Sequence, residues 1–233
     1  MKRIAVFSDI HGNLEALEAI LNDIERNNID EVIYLGDVIG FGPNPKECLD
    51  LIMDSRIKMV RGNHEIYQFN DDLYYNHLTE DERHHRDWIK NQLNEKEKDF
   101  INNVPMTIEE LVDGKLFTFS HFFFNEDKTY FQPLNILGDK RIFDVAKSLE
   151  TDYMFFGHSH DAFQIDNDGL FTCVGSSGCT NKNITFYTII EVVDKSVKIT
   201  KKDIIYDRKT FEKKIKNDDY PDIERIRTTY FGL

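Results

Sequence analysis

The sequence predicts an α/β fold built around a parallel sheet. Three observations carry that prediction: short apolar runs end in polar clusters, segments of helical period follow them, and the alternation repeats within the first 65 residues.

The first run, RIAVFSD from Arg3 to Asp9, reads as a strand ending in a polar pair. From Asn13 to Asn27, Leu14, Leu17, Ile20, Leu21 and Ile24 recur at helical spacing, and Asn13 is placed to cap the helix. EVIYLGD, from Glu31 to Asp37, repeats the strand pattern. Asn44-Pro45 then opens a helix through Met53, because proline at the first helical position gives up an amide that has no partner there. KMVRGNHE is a third strand running into a loop. This βαβαβ order implies parallel strands joined by right-handed crossovers.

Residues 66–104 are polar and contain two capping boxes, Thr79 with Glu82 and Asn94 with Glu97, each ahead of a helical pattern. They predict an inserted helical pair beside the sheet. Extended segments follow. TIEELVDGKLFTFSH predicts a hairpin around Asp113-Gly114, AFQIDNDGLFTCV turns at Asp168-Gly169, and NITFYTIIEVVDKSVKITKKDIIY is a long pair turning near Asp194-Lys195. The charged tail, 207–233, predicts one or two short helices. Neither an internal repeat nor a linker divides the chain, so residues 1–233 read as one domain.

Whole-chain chemistry narrows the function. With 233 residues, 40% of them hydrophobic, the chain can bury a sizeable core. Mean hydropathy is −0.49, and no apolar run approaches the roughly 20 residues needed to cross a bilayer. Asp9 and His11 interrupt the apolar N-terminus too early for a signal peptide. The three cysteines, Cys48, Cys173 and Cys179, match no metal or redox spacing and predict a reduced, cytoplasmic setting. A formal net charge of −13 argues against stable nucleic-acid binding, which rests on Lys and Arg. It leaves room for a small anionic substrate held locally by metal ions.

Five segments finish in metal-capable clusters: Asp9-x-His11-Gly12, Gly36-Asp37, Gly62-Asn63-His64-Glu65, Ser120-His121 and Gly157-His158-Ser159-His160. The carboxyl ends of parallel strands share one sheet edge, where ligands bind. Five of the eight histidines sit at these ends; His77, His84 and His85 lie in the helical insert. Such a set suits two ions about 3.5–4 Å apart that share a carboxylate and clamp a phosphoryl group. Imidazole with carboxylate favours Mn, Fe or Zn over Ca or Mg.

In order and residue type these blocks resemble the calcineurin-like metallophosphoesterases, and GDVIGFGPNP with VRGNHE is most similar to their small prokaryotic branch. The resemblance covers nearly the whole chain. It implies a β-sandwich of two mixed sheets flanked by helices, with a dinuclear site at one edge. It further implies that Asp9, His11 and His160 hold one ion and that Asn63, His121 and His158 hold the other. Asp37 would bridge them, and His64 would face the leaving-group oxygen without binding metal. Two transition-metal ions are expected, manganese first, with iron or zinc as alternatives.

Each residue alone has an ordinary explanation. Asp9 could cap a helix, Asp37 could close a turn, and Asn63 could be a left-handed turn residue. His121 could be a half-buried hydrogen-bonded histidine, and His158 and His160 would point to opposite faces of a strict strand unless a loop after Gly157 turns both inward. Glu65 reads as a helix-start or supporting carboxylate. The seven ligand positions occurring in register favour the dinuclear site.

Two departures bear on the substrate. Where protein serine/threonine phosphatases continue Asp-Arg-Gly, this chain has Ile39-Gly40, so one phosphate clamp is missing; Arg61 matches their other arginine or serves as an ion-pair partner. The branch's Asn-Pro-Gly-Ser becomes CVGSSGCT, keeping Gly175 and Ser176 but losing the proline and a basic residue downstream. Phe122, Phe123 and Phe124 follow a ligand and read either as core or as a stacking surface for a base. The expected activity is metal-dependent hydrolysis of phosphodiesters or nucleoside polyphosphates. In that scheme His64 protonates or hydrogen-bonds the departing oxygen, with neighbouring carboxylates keeping its pKa in a useful range. The alternatives are a serine/threonine protein phosphatase or other phosphomonoesterase, and a metal-binding scaffold without turnover.

Overall fold

The structure is a computed structural model that describes residues 1–69, 78–124, 131–132, 151–165, 171–217, 220–221 and 224–233. Two mixed five-stranded sheets face each other, with helices packed outside the first. In that sheet β1 (Lys2–Phe7), β2 (Glu31–Tyr34) and β3 (Lys58–Met59) run parallel. Helices α1 (Leu14–Glu25) and α2 (Pro45–Asp54) make the crossovers, as the βαβαβ order requires. On its far side β11 (Ile184–Val193) and β12 (Ser196–Ile205) pair antiparallel, so the sheet is mixed rather than wholly parallel. The second sheet holds β4 (Thr107–Val112), β5 (Lys115–Ser120), β8 (Tyr153–Phe156), β9 (Phe163–Ile165) and β10 (Phe171–Cys173). A small pair, β6 (Phe123–Phe124) and β7 (Phe131–Gln132), follows β5.

Period two along β1 decides which layer each side chain enters. Ile4 and Val6 join Ile33, Leu35, Phe117, Phe119 and Phe155 between the sheets, whereas Ala5 and Phe7 pack toward α1 and α2. A strand buried on both faces reads as a continuous apolar run, which is what IAVF, from Ile4 to Phe7, is. Asn13 caps α1 by accepting the Ala16 amide at 3.1 Å. Asp9, the other cap candidate, lies outside the helix.

Helix α3 (Asn63–Phe69) leaves β3, and both capping boxes form at the starts of α4 (Glu80–Gln92) and α5 (Glu95–Asn103). The tail carries α6 (Arg208–Ile215) and α7 (Glu224–Phe231). The β4–β5 and β11–β12 hairpins turn at Asp113-Gly114 and Asp194-Lys195 with positive φ at both central residues, the turn that matches strand twist. The turn expected at Asp168-Gly169 lies outside the described residues, as does His77. No described helix is long and apolar enough to cross a membrane, and all three cysteines are free.

Candidate metal centre

The five polar strand ends meet at one edge of the sandwich. β1 delivers Asp9 and His11, β2 delivers Asp37, and β3 with the start of α3 delivers Asn63 and His64. The second sheet supplies His121 after β5 and His158 with His160 after β8. Backbone hydrogen bonds hold these ends in register. The amides of Asp9, His11 and Gly12 donate to the carbonyls of Gly36, Asp37 and Val38 at 2.9–3.0 Å, and Gly157 donates to His121 at 3.1 Å.

Asp9, His11, Asp37, His158 and His160 all adopt positive φ, from 47° to 66°. The left-handed region costs a non-glycine residue about 1–2 kcal/mol. Three of the four other described non-glycine residues with positive φ occupy the two tight hairpin turns. The strain at the strand ends turns consecutive side chains the same way, which is how His158 and His160 both reach the cluster instead of alternating faces.

His11 Nε2 lies 3.0 Å from His160 Nε2, and Asp9 Oδ1 is 3.6 Å and 3.5 Å from these two nitrogens. A point about 2 Å from all three atoms exists at the centre of that triangle, the distance at which imidazole nitrogen and carboxylate oxygen bind a transition metal. A second group surrounds Asn63 Oδ1, with His158 Nδ1 at 2.7 Å and His121 Nε2 at 3.0 Å; His121 Nε2 is 3.2 Å from Asp37 Oδ2. Asp37 Oδ2 is also 3.8 Å from His11 Nε2, which sets it between the two groups. Asp9 Oδ1 is buried with no hydrogen-bond partner, an expensive state unless a cation meets it. The donor set fits two cations.

Electrostatics agree with that fit. Burial opposes ionisation of Asp9 and Asp37, but the imidazoles around them, His121 foremost, hold both carboxyls well below the usual range. Burial alone would lower His121; the Asp37 and Asp9 carboxylates outweigh it and raise this imidazole to about 9. The two carboxylates therefore favour positive charge where the ligand atoms converge.

His64 behaves differently. It stands beside the first group with its ring 4.7 Å from that of His11, and its backbone amide donates to Asp37 Oδ1 at 2.8 Å. Desolvation pushes its pKa down to about 3 against the pull of Asp37. The expectation that carboxylates keep His64 near a working pKa is thus corrected: at neutral pH its imidazole is uncharged and offers one N–H.

The structure also brings in residues to which the sequence assigned no specific contact. Glu65, buried, accepts the amides of Asp37, Val38 and Gly62, each at 2.8 Å, and that of Ile39 at 3.3 Å. Its carboxyl is raised to about 7 by burial and by the Asp37 charge. Cys179 has a ligand atom within 4.8 Å of atoms on His11 and His160, because the Gly178 amide and Ser176 hydroxyl donate to the Asp9 carbonyl at 3.1 Å and 2.8 Å. Spacing in sequence offers no sign of either contact. Gly40 is required where it stands: a Cβ there would come within 2.5 Å of His11 Nδ1 and 3.0 Å of His64 Nδ1.

Phe122 is buried, with its ring 5.2 Å from His121 and 5.7 Å from His158, so it backs the ligands and offers no face to a substrate. The side chains of Phe123 and Phe124 lie outside the described residues. Arg61 has no ion-pair partner among the described residues, and its Nε is buried without a hydrogen bond. His84 and His85 stay on α4, outside the two ligand groups.

The profile of the calcineurin-like phosphoesterase family matches residues 2–162. An uncharacterized protein of Methanocaldococcus jannaschii is 35% identical over 168 residues, 71% of this chain, and the match spans 65% of that protein. Among solved structures, a hypothetical protein from Pyrococcus horikoshii superposes with a TM-score of 0.79 at 20% identity, covering 100% of this chain and 99% of the other. A metallophosphoesterase from Sphaerobacter thermophilus does so with a TM-score of 0.69 at 22% identity, over 91% and 92% of the two chains. The structural likenesses speak to the fold, whereas the family profile runs through all five strand ends that carry the cluster. On that match the chain belongs to the calcineurin-like phosphoesterase family.

Proposed function

We propose that this protein is a dinuclear metal-dependent hydrolase of phosphodiesters or nucleoside polyphosphates. Asp9, His11 and His160 would hold one ion, Asn63, His121 and His158 the other, and Asp37 would bridge them, manganese being the first choice of metal. When bound, the ions supply Lewis-acid neutralisation of the phosphoryl oxygens and lower the pKa of a water. The chain's own residues do the rest. Glu65 holds the loop that carries Asp37, and the left-handed strand ends present the ligands without rearrangement. His64, neutral and set by its packing against His11 and Phe41, donates its N–H to the departing oxygen.

The observation that supports the diester reading is that two separate spaces border residues at the cluster, one at His160 and one at His64. Past His160 runs a polar groove of about 460 Å³, with Ser176, Asn181, Lys182, Lys201 and Tyr230 along it. Past His64 lies a separate, more apolar cavity. A phosphorus bearing two substituents has a place for each, whereas a monoester uses only one. Ile39-Gly40 in place of a phosphate-clamping arginine points the same way, since a dianion needs more neutralisation than a monoanionic diester. Matched aryl phosphodiester and phosphomonoester kinetics in manganese test this: kcat/KM should favour the diester. A clear preference for monoesters or phosphopeptides would overturn it in favour of a phosphatase.

A further inference from the structure

The cavity beside His64 is built by three helices that meet only in the tertiary structure. Tyr67 comes from α3, His85 and Ile89 from α4, and Ile226 from α7, with Phe41 and His64 lining the side toward the metal cluster. Its volume is about 140 Å³. Gln68, Glu82, Arg86 and Arg225 also line it, although the exposed lining is mainly apolar. A cavity of about 150 Å³ holds one benzene molecule, so the volume suits a single six-membered ring.

Its walls are preset. Phe41 stacks on Tyr230 with ring centroids 4.0 Å apart and planes 16° apart, and its edge meets His64 at 4.6 Å. His85 is fixed between Trp88 at 5.8 Å and Tyr220 at 5.7 Å. An ion pair from Arg225 to Glu82, 2.8 Å long, ties α7 to α4 at the rim, where the arginine side chain is 70% exposed. Four rings (Phe41, His64, Tyr67 and His85) therefore line the cavity, and aromatic guests packed against such rings gain beyond area burial.

We propose that this cavity receives an aromatic ring of the leaving group, which makes Phe41, Tyr67 and Ile226 specificity-determining residues. The inference rests on the reading that His64 faces the departing oxygen: a group leaving past His64 enters the space that His64 itself lines. The retained substituent then enters the polar groove past His160, which the Phe41–Tyr230 stack separates from the cavity.

The test uses the full chain and diesters that share one retained group but release either a phenol or an alcohol of matched acidity. The aryl ester should show a kcat/KM about tenfold higher, the size of one stacked ring. Ile226→Trp, which fills the cavity, and Tyr67→Ala, which removes a wall, should each reduce that aryl-to-alkyl ratio about tenfold. Phenol alone should bind the wild-type protein in saturation-transfer NMR, and Ile226→Trp should abolish that signal. Circular dichroism checks the fold, and Tyr67→Ala, at a half-buried position, carries the test if Ile226→Trp fails to fold.

A wild type without aryl preference, or variants that slow both esters equally, overturns the ring site and leaves diester hydrolysis standing. Phenol binding that Ile226→Trp abolishes, in a protein that turns over no diester, overturns the diester reading and with it the leaving-group role, and keeps the cavity as a ring-binding site. Neither turnover nor phenol binding overturns both.

Discussion

Glu65 accepts the backbone amide of Asp37 through a 2.8 Å hydrogen bond, so the carboxylate placed between the two ligand groups sits on a loop gripped by another buried carboxylate. The same side chain takes the amides of Val38 and Gly62, and therefore joins the ends of β2 and β3 at the cluster. Glu65→Gln keeps the shape but replaces one acceptor oxygen with a donor facing those amides. Each buried amide left without an acceptor costs about 1–3 kcal/mol. Denaturant unfolding should show a loss of that order, and metal analysis should show both ions bound more weakly. Wild-type stability and occupancy in this variant would remove Glu65 from the support of the site.

Metal content separates the bridge from a single-ion ligand. Protein purified without chelator should carry close to two transition-metal ions per chain, as two ligand groups sharing Asp37 imply. Asp37→Asn should lose both ions, while His160→Ala should lose mainly one, read by elemental analysis. Full activity in metal-free protein would refute the dinuclear reading.

His64 should matter for turnover and little for binding metal. His64→Ala is expected to retain its fold and ions and lose about 10²–10⁴ in kcat, the range for a positioned acid or hydrogen-bond donor. The loss should shrink with nitrophenolate as leaving group, which needs little help to depart. If the variant loses an ion instead, His64 is a ligand.

A pH effect on stability should arise at His85, far from the ligands in sequence. Burial lowers its pKa from 6.5 to about 4, with the neighbouring His84 adding to the shift. The unfolded chain then binds more protons than the folded one between those values. Stability from this group is complete above pH 6.5 and falls as pH drops through 4. The effect is on the order of 1–3 kcal/mol. Comparing unfolding of wild type and His85→Phe across pH 4–7, metal-loaded, should show a flatter profile in the variant. Parallel profiles would mean that His85 charges freely in the folded protein.

Much of the fold is legible in the sequence because its signals are local. Asn13, Pro45 and both capping boxes act within one helical turn of themselves, and the caps form where the sequence places them. The Asp113-Gly114 and Asp194-Lys195 turns are equally local. The parallel-sheet expectation is right for β1, β2 and β3 and incomplete for the whole sheet, because β11 arrives from some 180 residues away and carries no mark of its partner. The ligand residues stand out for a related reason: metal chemistry demands unusual residue types, and each strand end displays its share within four positions.

By itself, the sequence determined the starts of α1, α2, α4 and α5, the two described hairpin turns and the residue types suited to metal. Each depends on neighbours in the chain or on side-chain chemistry alone. The helical start of α3 at Asn63 instead reads as a loop in the sequence. Tertiary structure decided everything that depends on distance between separate segments. It brought Asn63 Oδ1 to 3.0 Å from His121 and 2.7 Å from His158, across 58 and 95 residues. It buried Phe122 behind the ligands, lowered the pKa of His64 by desolvation where carboxylates were expected to keep it in a useful range, and left Arg61 without a carboxylate among the described residues. It also enclosed a ring-sized space between α3, α4 and α7. Desolvation and cavity shape are properties of packed matter, summed over atoms from remote parts of the chain, and no short stretch of sequence contains them.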